Sequence, residues 1–482
     1  MAVRISKGFI KSSLIYTLAG ALPMASAIIL LPFYVTYLSK SLLGELSVYL
    51  SFSLLVQICV TYSFDSSLYI YYHEFKKDQR KLSVFVSSAF IFMIILSVVA
   101  GVLLVLAGDF IFKLLLEDKG VSFYPFGFAA VGTGVFQGIF KVFSSLMQTR
   151  QRPEVFFWSN IVFFALIASL TIVGLYLYPA SLVGPVSGRF IATVCLGLWA
   201  LWQVFREFGF SFDFQWLRSS FGFNNYTFIY QIELWVVNYF DRLLMTAYLT
   251  FAEVGDYDFP WKCLLALDFV FGGLYNSFYP KVIALINDQP HKMSTPEINR
   301  YYHGLTAVIM LLVSGSILVI PFLGDSGFVK REYVDALAYA PYIALMYLIR
   351  PMRYYYGMPY GVLKHTKPLP VIYLAVSGLK IGLMVVGIPR YGVPAVIGAS
   401  IISGLVEVVL LRFAIGSRFK YAYNVFKIAV APLLLGLMIL SLELWAPWSK
   451  FWLHAFDLAC CVGMLMWFYR RELKTLPFLN RG

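Results

Sequence analysis

Six basic residues lie inside long apolar stretches of the sequence, where a charged side chain is costly and needs a function or a partner. They are Lys141, Arg189, Lys262, Arg350, Arg353 and Lys380. Ammonium and guanidinium groups bind phosphate through charge-assisted hydrogen bonds, so the set is a candidate site for a phosphate-bearing substrate. Two alternatives stay open. The heads of Lys141, Arg350 and Arg353 could instead reach lipid headgroups, and the deeper three could form internal salt bridges.

Acidic residues in the same stretches compete for these cations. They are Asp65, Glu233, Asp268, Glu407 and Asp457. Glu233 and Asp65 are candidate ion-coupling residues, because a buried carboxylate can carry a proton, whereas pairing with a lysine suppresses that. The adjacent Asp241 and Arg242 are predicted to form a structural pair near a helix end.

The sequence contains no recognisable catalytic or metal-binding pattern. Its five histidines are scattered, mostly in predicted loops, and its five cysteines lack Cys-x-x-Cys spacing. No phosphate loop or nucleophile–base arrangement is present. We therefore expect a protein that is not an enzyme and has no cofactor or metal.

Composition places the chain in a membrane. Of 482 residues, 60% are hydrophobic and 13% charged, and the mean hydropathy is +0.76. A soluble core cannot absorb that much apolar surface, and apolar runs of about twenty residues indicate helices rather than a barrel. Fourteen spans are predicted, at residues 14–38, 45–71, 83–107, 123–147, 155–177, 182–205, 224–250, 256–281, 304–323, 335–357, 369–389, 392–412, 427–446 and 451–469.

The net charge of +13 reflects loop charges of a membrane protein rather than nucleic-acid binding. With the N-terminus inside, 26 of the 38 Lys and Arg residues fall at inner ends and seven at outer ends. Among the inner ones are Arg4, Lys7 and Lys11, which precede the first apolar run. Both termini are therefore predicted to be cytoplasmic.

The chain contains an internal repeat with an offset of 211 residues. Residues 37–46 (YLSKSLLGEL) match residues 248–257 (YLTFAEVGDY), and 64–66 (FDS) stands opposite 275–277 (YNS). The offset covers six predicted spans, so both copies run in the same direction across the membrane. The predicted division has a first lobe at 1–206, a second lobe at 207–421, and two further spans with a tail at 422–482. Residues 206–223, at the start of the second lobe, are predicted to be a linker. Gly134-x-x-x-Gly138 and Gly184-x-x-x-Gly188 are predicted to pack helices closely.

Several stretches resemble Wzx-type flippases, the polysaccharide-transporter branch of the multidrug/oligosaccharidyl-lipid/polysaccharide exporter superfamily. The segment 14–18 (LIYTL) with 31–39 (LPFYVTYLS) is similar to the family's first helix. Asp241-Arg242 followed by Glu253-Val254-Gly255 resembles its seventh helix, and Ile388–Val393 a later loop. The chain departs from the family after Phe64-Asp65-Ser66-Ser67, where many relatives carry an arginine and this chain has Leu68-Tyr69.

The resemblance implies two six-helix lobes around a central cavity in a bacterial inner membrane. It also implies transfer of an undecaprenyl-pyrophosphate-linked oligosaccharide to the outer leaflet, for O-antigen, capsule or exopolysaccharide synthesis. The expected partners are that lipid-linked substrate and membrane lipids, with a polysaccharide polymerase complex as a further candidate and no nucleic acid.

Two other functions are weighed. A cation-coupled drug antiporter of the same superfamily should have a net acidic cavity, whereas deep basic residues here are at least as numerous as acidic ones. A membrane sugar polymerase or ligase needs catalytic groups in a sizeable outer loop, and the predicted outer loops are short. Both remain alternatives to the flippase.

Overall fold

The computed structural model describes residues 26–116, 123–289, 292–325, 329–363, 365–445 and 450–473. Within these ranges the regular structure is helical, apart from one isolated bridge between Met293 and Lys420. Several sequence features lie outside the described residues: Arg4, Lys7, Lys11, Lys119, Lys364, Lys474, Arg481, the 14–18 motif and the first part of the predicted span 14–38.

The chain forms two compact units, the first ending at Gly255 and the second beginning at Asp256. The helices up to this boundary are α1 Ser26–Tyr37, α2 Lys40–Thr61, α3 Phe64–Phe75, α4 Gln79–Leu116, α5 Phe128–Thr149, α6 Pro153–Leu177, α7 Val183–Phe208, α8 Phe214–Asn238, α9 Phe240–Tyr248 and α10 Phe251–Cys263, which crosses it. The predicted lobe boundaries at 206 and 421 stay predictions.

The remaining helices, in chain order, belong to the second unit. They are α11 Leu265–Asn287, α12 Pro296–Asp325, α13 Arg331–Val334, α14 Ala340–Val362, α15 Leu369–Tyr391, α16 Val393–Ala414, α17 Ala431–Trp445, α18 Lys450–Phe468 and α19 Arg470–Leu473. A 3₁₀ turn at Asp335–Tyr339 leads into α14, and a π-helical turn at Phe426–Val430 leads into α17.

Eleven helices among the described residues are long and apolar enough to cross a membrane. The other three predicted spans correspond to α1, α8 with α9, and α14. The described part of α1 is short. Helix α8 carries asparagine, glutamine and glutamate, and α14 carries two arginines and internal Pro351 and Pro359, so their apolar content is lower. The all-helical membrane fold is confirmed, whereas the count of fourteen is not.

The internal repeat is visible in helix positions. Shifted by 211 residues, α5 starts within one residue of α14, α7 within one residue of α16, and α6 within five residues of α15. The packing repeats as well, because α6 and α5 both pack on α7, and α15 and α14 both pack on α16. The two copies are therefore built on the same helical plan.

The first turn of α2 packs against the first turn of α10 without intervening side chains. A Cβ atom added at Gly44 would overlap the backbone oxygen of Phe251, and one added at Gly255 would overlap that of Lys40. The contact is reciprocal, since each glycine faces the residue four positions before the other glycine. Such reciprocity is the mark of a local two-fold relation.

The two predicted small-residue motifs also pack as expected. A Cβ at Gly134 of α5 would overlap the Ser53 backbone oxygen of α2, and one at Gly184 of α7 would overlap Gly174 of α6. Close backbone approach of this kind is how small residues let membrane helices associate. The packing prediction is confirmed.

The linker after α7 is docked rather than free. The backbone N–H of Ser211 donates to Ser87 Oγ at 3.0 Å, and that of Asp213 donates to Ser88 Oγ at 2.8 Å. Trp216 packs edge-on against Phe75. These contacts hold the start of α8 against α3 and α4.

Candidate substrate-binding and ion-coupling residues

Asp65 is the centre of a polar cluster in the first unit. Left-handed backbone at Tyr62 and Ser63 ends α2 and starts α3, which places Asp65 in the first turn of α3. Lys141 Nζ of α5 lies 2.9 Å from Asp65 Oδ2, and Gln231 Nε2 of α8 donates to Asp65 Oδ1 at 3.2 Å. Both carboxylate oxygens therefore have partners, and the Lys141 charge is balanced.

Glu233 has a different environment although it is two residues from Gln231. Two residues rotate a helix by about 200°, so the two side chains point to nearly opposite sides of α8. Trp235 Nε1 fixes the helix on α2 by donating to Ser51 O at 2.8 Å. Glu233 is 4% exposed, and neither of its carboxylate oxygens has a hydrogen-bond partner among the described residues. Glu233 therefore differs from Asp65, both of whose carboxylate oxygens have partners.

Arg350 and Arg353 of α14 each pair with an acid from another helix. Arg350 Nη1 is in contact with Asp268 of α11, whose second oxygen accepts from Tyr347 Oη at 3.0 Å. Arg353 Nε lies 2.6 Å from Glu407 Oε1 of α16. Both arginines therefore have acidic partners within the second unit, in addition to the contact with lipid headgroups that remains an alternative for them.

The three deeper cations differ from one another. Lys262 pairs with Asp258 one helical turn earlier on α10. Lys380 of α15 is 3% exposed. Arg189 of α7 is half-buried, close enough to Tyr34 for electrostatic interaction, and has no ion pair among the described residues. These three cations thus lie on three different helices.

Asp241 and Arg242 pair with each other where α8 gives way to α9. Arg242 Nη1 donates to Asp241 Oδ1 at 2.6 Å and to the Asn238 backbone oxygen at 2.5 Å. Both side chains are 2% exposed. The guanidinium satisfies a carbonyl that the helix break would otherwise leave without a donor.

Removing one member of this buried pair should strongly destabilise the protein. We expect Arg242→Gln or Asp241→Asn to lower the free energy of unfolding by about 3–5 kcal/mol, because removing one partner of a buried ion pair is strongly destabilising. Thermal unfolding in detergent measures this, with the double variant as control. Single variants as stable as wild type, or a double variant less stable than either, would contradict the pairing.

Sequence reasoning gave acids and bases but not their pairing. Gln231, Asp258 and Tyr347, which complete three of the contacts, were not singled out. Only Asp258 carries a usable signal, the i, i+4 spacing to Lys262 on a helix. The prediction that histidines lie mostly in loops is wrong for His73 and His303, which lie on α3 and α12, whereas His454 lies on α18 within its predicted span. Among the described residues no group of three or more His, Cys, Asp or Glu is placed to hold a metal.

Comparison with known proteins identifies the family. Residues 9–285 match the family described as polysaccharide biosynthesis protein, which is more than half of the chain. The chain belongs to the polysaccharide biosynthesis protein family. No curated protein sequence matches it.

The fold of this family member is also found in solved structures of other proteins, among them a flippase and a transporter. The lipid II flippase MurJ in an inward closed conformation is 14% identical, with a TM-score of 0.72 over 96% of this chain and 99% of that chain. An inward-facing multidrug resistance MATE family transporter of the MOP superfamily is 11% identical, with a TM-score of 0.57 over 82% and 95%. The resemblance noted in the sequence is therefore confirmed at the level of family and fold.

Proposed function

We propose that the protein is a flippase that moves an undecaprenyl-pyrophosphate-linked oligosaccharide from the cytoplasmic to the outer leaflet of a bacterial inner membrane by alternating access. Family membership and the fold support transport of a polysaccharide precursor. The observation that carries the proposal is a matched set of cations. Lys141 lies on α5, and Arg350 and Arg353 lie on α14, which is the equivalent helix of the second copy.

The exposure of these pairs supports anion exchange. The Lys141 side chain is 38% exposed and its partner Asp65 14%; for Arg353 and Glu407 the values are 25% and 2%. In each pair the cation is easier to reach than the acid. A pyrophosphate can therefore approach the cation and displace the carboxylate, which acts as a stand-in anion while the site is empty.

The membrane potential supplies a driving force for transport. When Lys141 turns to pyrophosphate, Asp65 loses the opposite charge 2.9 Å away but keeps its hydrogen bond from Gln231. The potential adds about 2.3 kcal/mol per 100 mV for each negative charge that moves outward. It therefore favours outward movement of the negatively charged headgroup.

Reconstitution with a fluorescent undecaprenyl-pyrophosphate oligosaccharide tests the function. We expect wild type to move the lipid to the opposite leaflet, and Lys380→Ala to lower the initial rate about tenfold, as loss of one charge-assisted contact would. Lys81→Ala is the matched control, because Lys81 pairs with Asp78 at the surface, where both side chains are 47% exposed.

The outcomes separate the function from the residue. No flipping by wild type under any ion gradient would overturn the flippase proposal. Wild-type flipping that Lys380→Ala leaves unchanged would keep the function and remove Lys380 from the substrate path. An equal loss in Lys81→Ala would show that the assay reports protein quality rather than substrate contact.

A second candidate is a cation-coupled drug antiporter, favoured by the buried Glu233 carboxylate, which has no hydrogen-bond partner in the part of the chain that the structure describes. An organic cation would bind such an acid, whereas a pyrophosphate would not. Uptake of a fluorescent organic cation against a proton gradient, abolished by Glu233→Gln and absent for the lipid-linked oligosaccharide, would favour the antiporter. The reverse pattern would support the flippase.

A further inference from the structure

Helix α18 turns ionisable side chains toward the protein and aromatic side chains outward. His454 and Asp457, three residues apart on one face, are each 1% exposed. Trp452 and Trp467 on other faces are 68% and 82% exposed. Burying the ionisable side of a membrane helix against its neighbours indicates that these groups have a role there.

Glu443 of α17 brings a second acid to this face. Its Oε1 lies 3.4 Å from His454 Nε2, and its Oε2 lies 4.0 Å from Lys450 Nζ. The Lys450 side chain is 57% exposed and the Glu443 side chain 6%. Lys450 is therefore an exposed partner that forms only a long ion pair with the buried Glu443.

Asp457 has no such partner. Neither of its carboxylate oxygens has a hydrogen bond among the described residues. Ser314 of α12, which is fully buried next to Asp457, also has a hydroxyl without a partner there. Glu443 adds a repulsive electrostatic interaction with Asp457. An ionised Asp457 would thus be an uncompensated buried charge, which is strongly unfavourable.

We propose that Glu443, His454 and Asp457 form a proton-binding site in the C-terminal helices α17 and α18, with Asp457 as the group that holds the proton. The protonated Asp457 can donate a hydrogen bond to the hydroxyl of Ser314, which lies beside it on α12.

Other ionisable groups lie on the elements that pack against this site. They include Lys450, Cys460 and Cys461 on α18, His303 on α12, Tyr342 on α14 beside Glu443, and Arg470 and Glu472 on α19. His303 Nδ1 lies 3.4 Å from Glu472 Oε1, and Lys427 Nζ lies 2.6 Å from the same oxygen. The site is thus distinct from the His303–Glu472–Lys427 cluster.

Binding and release of the proton should change the packing of α18 on α12. A neutral Asp457 can remain against Ser314, whereas an ionised one draws water or moves toward Lys450. The proposal rests on the burial of this face and not on the identity of the transported molecule, so it can fail or succeed independently of the flippase function.

Infrared difference spectroscopy of the full-length protein in lipid nanodiscs tests the site, by comparing acidic with alkaline pD. We expect the wild-type spectrum to contain a carbonyl component from protonated Asp457, which the wild-type minus Asp457→Asn difference separates from the bands of other buried acids such as Glu233. Asp78→Asn is the matched control, since Asp78 is surface-exposed and outside the spans. His454→Gln should keep the band and shift its midpoint by about one pH unit, a tenfold change in proton affinity.

Each result has a clear meaning. A wild-type minus Asp457→Asn difference spectrum without a carbonyl component overturns the assignment to Asp457. Loss of the wild-type band on adding excess sodium at constant pD overturns the proton in favour of a metal cation. If Asp457→Asn does not fold, His454→Gln decides, because an unchanged midpoint in that variant contradicts a site shared by Asp457, His454 and Glu443.

Discussion

Lys141→Met is expected to leave a folded protein whose flipping rate falls by about 10- to 100-fold, the effect of losing one interaction of about 1.5–3 kcal/mol with a charged substrate. The lysine is the more exposed member of its pair with Asp65, so a passing pyrophosphate meets it before the acid. Initial rates in proteoliposomes, normalised to reconstituted protein, measure the effect.

Asp65 provides the internal control for that experiment. Lys141→Met leaves Asp65 with Gln231 but without its balancing charge, so some loss could come from instability. The double variant Asp65→Asn with Lys141→Met removes both charges and should restore protein level and thermal stability, but not flipping. Restored flipping in the double variant would reduce the pair to a structural role and remove Lys141 from the substrate path.

Gly44→Leu is expected to lower the free energy of unfolding by about 3 kcal/mol, the upper part of the usual range for overpacking. The new Cβ would meet the Phe251 backbone oxygen, and a backbone atom cannot rotate away as a side chain can. Thermal unfolding in detergent and the yield of monodisperse protein measure the loss.

The repeat supplies a second copy of this test. Gly255→Leu should be about as damaging, because its Cβ would meet the Lys40 backbone oxygen in the same way. Gly101→Leu on α4 is the matched control, since nothing lies within 4 Å of a Cβ at that position. Equal stability of the Gly44 and Gly101 variants would contradict the close approach of α2 and α10.

The sequence predicted the features that depend on local composition. Apolar runs gave the membrane class, and eleven predicted spans coincide with apolar helices in the described residues. The match of Gly44 with Gly255 at the 211-residue offset anticipated the equivalence of α5 and α14. Span ends were less accurate where proline and tyrosine dilute the apolar signal, as in α14, predicted at 335–357 and found at Ala340–Val362.

Partner choice could not be predicted, because it depends on which helices become neighbours. Asp65 pairs with a lysine 76 residues later on α5, and Arg350 pairs with Asp268 on α11. Hydropathy gives the depth of such residues but not the direction in which they point around the helix. The buried face of α18 was missed for the same reason, since Asp457 was only one of several acids in apolar runs and His454 was given no role.

The docked linker determines where this polypeptide could be divided into two co-produced fragments. Ser87 and Ser88 accept hydrogen bonds from the backbone just after α7, and Trp216 covers Phe75. A fragment ending at residue 206 would lose all of these contacts and expose the aromatic surface beneath them. The polar linker after α7 is therefore a poor place to divide the chain. A first fragment needs to retain α8 and α9, so that the surface of α3 and α4 stays packed.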